Sequence, residues 1–154
     1  MSLDLLDARV IATLATVDDD GRPYLSAVWF LRDGDDVLVA TGSRTRKARN
    51  AAARQEAGML VHGRGEAPLR GIAATGTVTV IRGAEALELN RRLWRKYLTP
   101  AGIDHPAVGR PIEEHDDVTI RFTPGAWRSW GTDADFGGSF ELPGLVLPLD
   151  PTER

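Results

Sequence analysis

Cysteine is absent from the 154-residue chain. That excludes disulfides, thiolate metal sites and cysteine nucleophiles, and it agrees with a reducing compartment. Histidine is scarce: His62, His105 and His115 lie far apart, with no His-x-x-His pair or matching carboxylate spacing, so no zinc site is expected. No apolar run reaches the roughly 18 residues that a membrane span needs. The acidic opening, Met1 to Asp7, lacks the basic-then-apolar order of a secretory signal, so a cytoplasmic protein without a membrane partner is expected. The net charge of −3 leaves no global footprint for nucleic acid, and none is expected as a partner. Neither a Ser-His-Asp set nor a paired-carboxylate arrangement is recognisable.

What is present is a run of short apolar segments divided by turns. Leu3 to Ala8 reads as a short helix capped by Ser2. Strands are expected over Val10–Val17, Tyr24–Leu31, Val37–Thr41, Gly58–His62, Leu69–Ile81 and Val118–Phe122. Asp18 to Pro23 and Asp33 to Asp36 read as tight turns, so the first three strands form an antiparallel meander. Gly76 in mid-strand signals a bulge or a close backbone approach. A helix over about 84–98 places Ala86, Leu89, Leu93 and Tyr97 on one stripe, and Thr99 to Gly102 stops it. These segments predict a mainly β domain over residues 1–131: a six-stranded, closed or partly closed antiparallel barrel with peripheral helices. Residues 132–154 form a loop-like tail expected to pack on the same domain. Strands apolar on both faces need an outer cover as well as a core, which helices or a second copy of the chain would supply, and a homodimer is expected.

The most informative stretch is Thr41-Gly42-Ser43-Arg44-Thr45-Arg46-Lys47-Ala48-Arg49-Asn50. It joins the third strand to a helix over about 45–56, and it crowds cations into that helix's first turn. The positive end of a helix dipole disfavours Arg and Lys there by a few tenths of a kcal/mol each. A bound anion would reverse the sign: free backbone N–H groups, the Ser43 and Thr45 hydroxyls and fixed cations make a phosphate cradle. A solvated basic helix face is the plainer alternative. In an acidic chain a local cationic cluster suits a compact anion better than a polyanion.

Tyr24-Leu25-Ser26-Ala27-Val28-Trp29-Phe30, Val39-Ala40-Thr41-Gly42-Ser43 and Arg46-Lys47-Ala48-Arg49-Asn50, taken in that order with their strand context, resemble the pyridoxamine 5′-phosphate oxidase-like family of flavin-binding split β-barrels. The turn Ala12 to Pro23 fits the same pattern. The resemblance is good over residues 5 to 82 and looser beyond. It implies a homodimer with two cofactor clefts at its interface, holding FMN or, alternatively, a deazaflavin (coenzyme F420), and hydride transfer to a small organic substrate. A non-catalytic flavin-binding protein of the same fold is the further alternative. By position, Arg46 and Lys47 would hold the terminal phosphate, with Thr41, Ser43 and Thr45 beside it and Asn50 one turn on. The backbone of Ser26, Ala27, Val28 and Trp29 would line the flavin ring. Ser26 and Gly71 differ from the arginine and glutamine of the oxidase itself, so its own reaction is not carried over.

Trp127, Arg128 and Trp130 follow the last expected strand and either cap a planar ligand or plug the barrel end. The family pattern favours the ligand, with Trp130 the candidate contact. Trp94 and Tyr97 read as packing residues. Arg44 and Arg49 would suit the acidic tail of a deazaflavin.

Overall fold

The computed structural model describes residues 3–63, 70–109 and 117–131. Among them are eight strand segments: β1 (Ala12–Val17), β2 (Pro23–Val28), β3 (Leu31–Asp33), β4 (Asp36–Gly42), β5 (Glu56–His62), β6 (Gly71–Ile81), β7 (Asp117–Pro124) and β8 (Arg128–Trp130). The helices are α1 (Arg46–Ala53), α2 (Gly83–Tyr97) and α3 (Pro100–Asp104), and a 3-10 turn spans Asp4–Leu6. Seven strands hydrogen-bond in the order β2-β1-β5-β6-β7-β4-β3, and β8 pairs separately with β6. Every pairing is antiparallel.

The order itself requires curvature. β2 and β3 are the opposite ends of the sheet, yet only Trp29 and Phe30 separate them in the chain. Three Cα–Cα steps reach at most about 11 Å. The two edges must therefore meet, and the sheet curls into a split barrel whose interior is filled by Leu14, Phe30, Val37, Val39, Val61, Ile72, Val78, Ile120 and Phe122.

Three sequence expectations need correction. The barrel has more than six strands, because the expected strand Tyr24–Leu31 breaks in two. Tyr97 on α2 causes the break: its hydroxyl accepts from Phe30 N (3.2 Å) and donates to Val10 O (2.8 Å). The backbone at Phe30 thus bonds to a side chain instead of a ladder, and Leu31–Asp33 starts a new hairpin with β4. The expected meander keeps both of its hairpins, β1 with β2 and β3 with β4, but its middle strand is split, and β4 also pairs with β7. At the N-terminus, Leu3 occupies the cap position of the 3-10 turn without a side-chain bond, and Ser2 lies outside the described residues. α3 follows α2 closely, its N-terminus capped by the Thr99 hydroxyl, which accepts from Gly102 N at 3.1 Å.

Other expectations hold. A Cβ at Gly76 would come within 2.2 Å of the Thr123 carbonyl oxygen, so β6 and β7 approach there as only glycine allows. On α2 the stripe Ala86, Leu89 and Leu93 is buried, together with Trp94, against β7 and β4. The tail from residue 132 lies outside the described residues. No helix among the described residues is long and apolar enough to cross a membrane.

Candidate functional site

α1 starts directly after β4, and its cap is built from threonines. The Thr45 hydroxyl donates to Gly42 O at 2.9 Å and accepts from Ala48 N at 3.4 Å. Its single proton being used, it accepts from Thr41 Oγ1 at 3.0 Å. Thr41 and Thr45 therefore shape the turn and share a proton chain. Ser43 is half-buried in the same turn. Arg44 and Arg49 are exposed, and Arg49 Nη1 donates to Arg44 O (2.9 Å).

Arg46 and Lys47, adjacent in sequence, have different surroundings. The Arg46 guanidinium donates from Nε to Asp18 Oδ1 (2.9 Å) and from Nη2 to Asp18 Oδ2, and it lies 4.8 Å over the Tyr24 ring. Its Nη1 has no partner among the described residues. Lys47 is half-buried, and desolvation pulls its pKa below the ordinary lysine value. No carboxylate, carbonyl or ring among the described residues partners its ammonium. Asn50, expected as a ligand contact, is buried and faces inward: its Nδ2 donates to Asp18 Oδ1 (2.8 Å) and Thr16 Oγ1 (3.2 Å).

Asp18, Thr16 and Tyr24 were not singled out by the sequence, where Asp18 reads as the first of three turn aspartates. In the structure Asp18 is only 5% exposed while Asp19 and Asp20 stand in solvent. Hydrogen bonds from Arg46 and then Asn50 hold its carboxyl below the usual carboxylate range, against the effect of burial. The one available signal was its register: Thr16 and Asp18 continue the inward-facing alternation of Ala12 and Leu14.

β2 forms the second wall. Tyr24 and Ser26 share a face, and Tyr24 ties that face to α1 through Arg46. The Ser26 hydroxyl is buried with no hydrogen-bond partner. An orphaned buried hydroxyl is uncommon in native proteins and calls for an explanation. Ala27 is exposed and Val28 buried, as alternation requires. Since β2 ends the strand order, its outer edge offers backbone N–H and C=O groups without a ladder partner among the described residues, over about 13 Å from Tyr24 to Val28.

Trp29, expected to line the ring through its backbone, and Trp130, the candidate contact, both pack their indoles on other parts of the chain. Trp29 stacks on Tyr97, with centroids 4.8 Å apart and planes within 2°. Trp130 lies across Gly71, where a Cβ would come within 2.2 Å of the indole. Register places Trp130 beside Gly71 and His62, at the opposite end of the barrel from Thr16 and Arg46. Among the described residues no group of three or more His, Asp or Glu is placed to hold a metal ion.

The site is thus a cationic helix start with one engaged and one unengaged cation, next to an open strand edge with an unsatisfied hydroxyl. Those features fit a phosphate at α1 and a longer polar-edged group along β2. The same fold occurs in known structures. The conserved hypothetical protein Rv2991 from Mycobacterium tuberculosis superposes with a TM-score of 0.74 at 24% identity, over 97% of this chain and 94% of that one. An F420 reductase gives a TM-score of 0.66 at 27% identity, over 81% and 94%. A haem-binding protein from Mycobacterium smegmatis gives 0.64 at 16% identity, over 82% of this chain and 51% of that one. No curated protein sequence matches the chain. The sequence model of the pyridoxamine 5′-phosphate oxidase family matches residues 3–131, most of the chain, and the protein belongs to that family.

Proposed function

We propose that the protein is an oxidoreductase that binds a phosphate-bearing flavin-type cofactor between α1 and β2 and transfers hydride to or from a small organic molecule. The observation that carries this reading is Lys47, a half-buried ammonium without an anionic partner, beside Arg46, whose Nη1 likewise has no partner, both among the described residues. Burying a cation unpaired is unfavourable, and a phosphate oxygen would relieve it. The cofactor supplies the hydride chemistry. The chain's part is to bind and orient it. Lys47 and Arg46 meet the phosphate, Thr45 and Ser43 shape the turn beneath it, and the free edge of β2 with Ser26 meets the polar rim of the ring.

FMN and the deazaflavin F420 both fit this description. The 27% identity to an F420 reductase over 81% of this chain favours the deazaflavin, and exposed Arg44 and Arg49 beside the cradle suit its acidic tail. The working assembly is a homodimer. Its support is the outer face near β2, where Leu25 is 63% exposed and Ile11 and Trp29 are more than a third exposed.

Mass spectrometry of ligand released from native protein tests the reading, followed by titration with FMN and F420. Binding of either cofactor, with loss on Lys47→Ala, is the expected result. Equal affinity of wild type and Lys47→Ala for both would overturn it.

A further inference from the structure

We propose that Asp18 is a positioning residue for this site: it holds the Arg46 fork in place for the cofactor phosphate, an inference that rests on the function proposed above. The Arg46 side chain is 55% exposed, and an exposed arginine ordinarily samples many rotamers. Here it is held on two sides. Both oxygens of buried Asp18 take its Nε and Nη2, and the Tyr24 ring lies under its plane. Nη1 is left for a further acceptor.

Asp18 is itself immobilised. Its backbone N donates to Arg22 O (2.8 Å), its carbonyl accepts from Gly21 N (3.0 Å), and Gly21 adopts the positive φ of 81° that closes this turn. Asn50 reaches Asp18 from α1, and Arg54 Nη2 donates to the Asn50 side-chain oxygen (3.4 Å). A chain of side chains thus runs Arg54–Asn50–Asp18–Arg46 beneath the helix start. Exposed Asp–Arg pairs contribute little to stability. A buried carboxylate that gives both its oxygens to a half-exposed arginine is better accounted for by what that arginine must meet. A guanidinium whose geometry is set before binding loses less freedom when phosphate arrives. Asn50 then acts through Asp18 and not on the ligand.

The test is a fluorescence titration of wild type, Asp18→Asn, Arg46→Ala and the double variant. FMN and riboflavin form one probe pair, and F420 and its phosphate-free deazaflavin chromophore the other, with thermal unfolding of each variant alongside. Asp18→Asn is expected to weaken the phosphate-bearing probe about tenfold or more and to leave the phosphate-free probe unchanged. Added to Arg46→Ala it is expected to have no further effect, because its action runs through Arg46. Equal losses for both probes of a pair, no loss, or additivity with Arg46→Ala would overturn the proposal. A wild type that shows no preference for phosphate in either pair would overturn the cofactor reading and this inference together. If Asp18→Asn does not fold, the Arg46 Nε–H exchange rate in ligand-free wild type decides. Slow exchange supports the proposal, and exchange as fast as in free arginine contradicts it.

Discussion

Two half-buried lysines, Lys47 and Lys96, sit at different places on the same barrel and teach different things. Burial lowers the pKa of both. Lys96 has partners for its ammonium: it donates to Leu6 O at 3.1 Å and lies 4.0 Å over the Phe30 ring and 5.5 Å from the Tyr97 ring centroid. Together with Tyr97 it closes the seam where β2 gives way to β3. Lys47 has no such company among the described residues. On the function proposed above, the same physical signature, a desolvated ammonium, marks a structural clamp in one place and a proposed ligand position in the other. What separates them is whether the fold itself supplies the partner.

The largest expected effect is on binding. Replacing both Arg46 and Lys47 by alanine should weaken cofactor affinity by about 2–5 kcal/mol, since charge-assisted bonds to phosphate are lost. Isothermal titration against FMN and F420 measures it. Lys47→Ala alone should leave the melting temperature little changed, and a large drop in that single variant would mean that Lys47 is structural as Lys96 is; Arg46→Ala lowers it in any case, because buried Asp18 loses its partner.

Lys96→Ala should do the opposite. It removes the alkyl stem and the cation from Phe30 and leaves Leu6 O without its donor, for about 1–2 kcal/mol of lost stability. Urea unfolding reads that value, and cofactor affinity should be retained. Tyr97→Phe attacks the same seam by removing the hydroxyl shared by Phe30 N and Val10 O. About 1–2 kcal/mol should be lost, because buried backbone groups are left unpaired. Hydrogen exchange at Phe30 N should rise in that variant.

The smallest effect is the pH dependence at the seam. Burial depresses Lys96 to about 8 in the folded protein, against an unfolded value near 10.5. Between these values the unfolded chain binds more protons than the folded one, so stability should rise as pH goes from about 8 to 10.5. Because Lys96 is half exposed, the gain should be on the order of 1 kcal/mol, well short of the full shift. In Lys96→Met the rise should vanish, and denaturant midpoints across that range check it.

This contrast also marks what was legible in the sequence. Local signals were: the Gly42 to Lys47 turn with its wrong-signed charges, the apolar stripe of α2, and Gly76 as a point of close approach. Each depends on neighbours a few residues away or on a missing Cβ. Partners distant in sequence were not legible. Asp18 looks like its solvated neighbours Asp19 and Asp20 until Arg46 and Asn50 arrive from 28 and 32 residues away. The break after β2 was hidden for the same reason, since Tyr97 lies 67 residues from Phe30 and nothing local forbids a strand running through Trp29. Trp29 then went to Tyr97 and Trp130 to the space above Gly71, because an aromatic ring takes whatever surface the fold brings to it.

Lys47 and Lys96 can be followed in one experiment, by NMR titration of both ammonium groups without and with saturating FMN or F420. The account predicts that Lys47 titrates below the ordinary lysine value in the free protein and rises when the phosphate-bearing cofactor binds, while Lys96 stays near 8 in both states. A Lys47 pKa unmoved by a bound cofactor would contradict it.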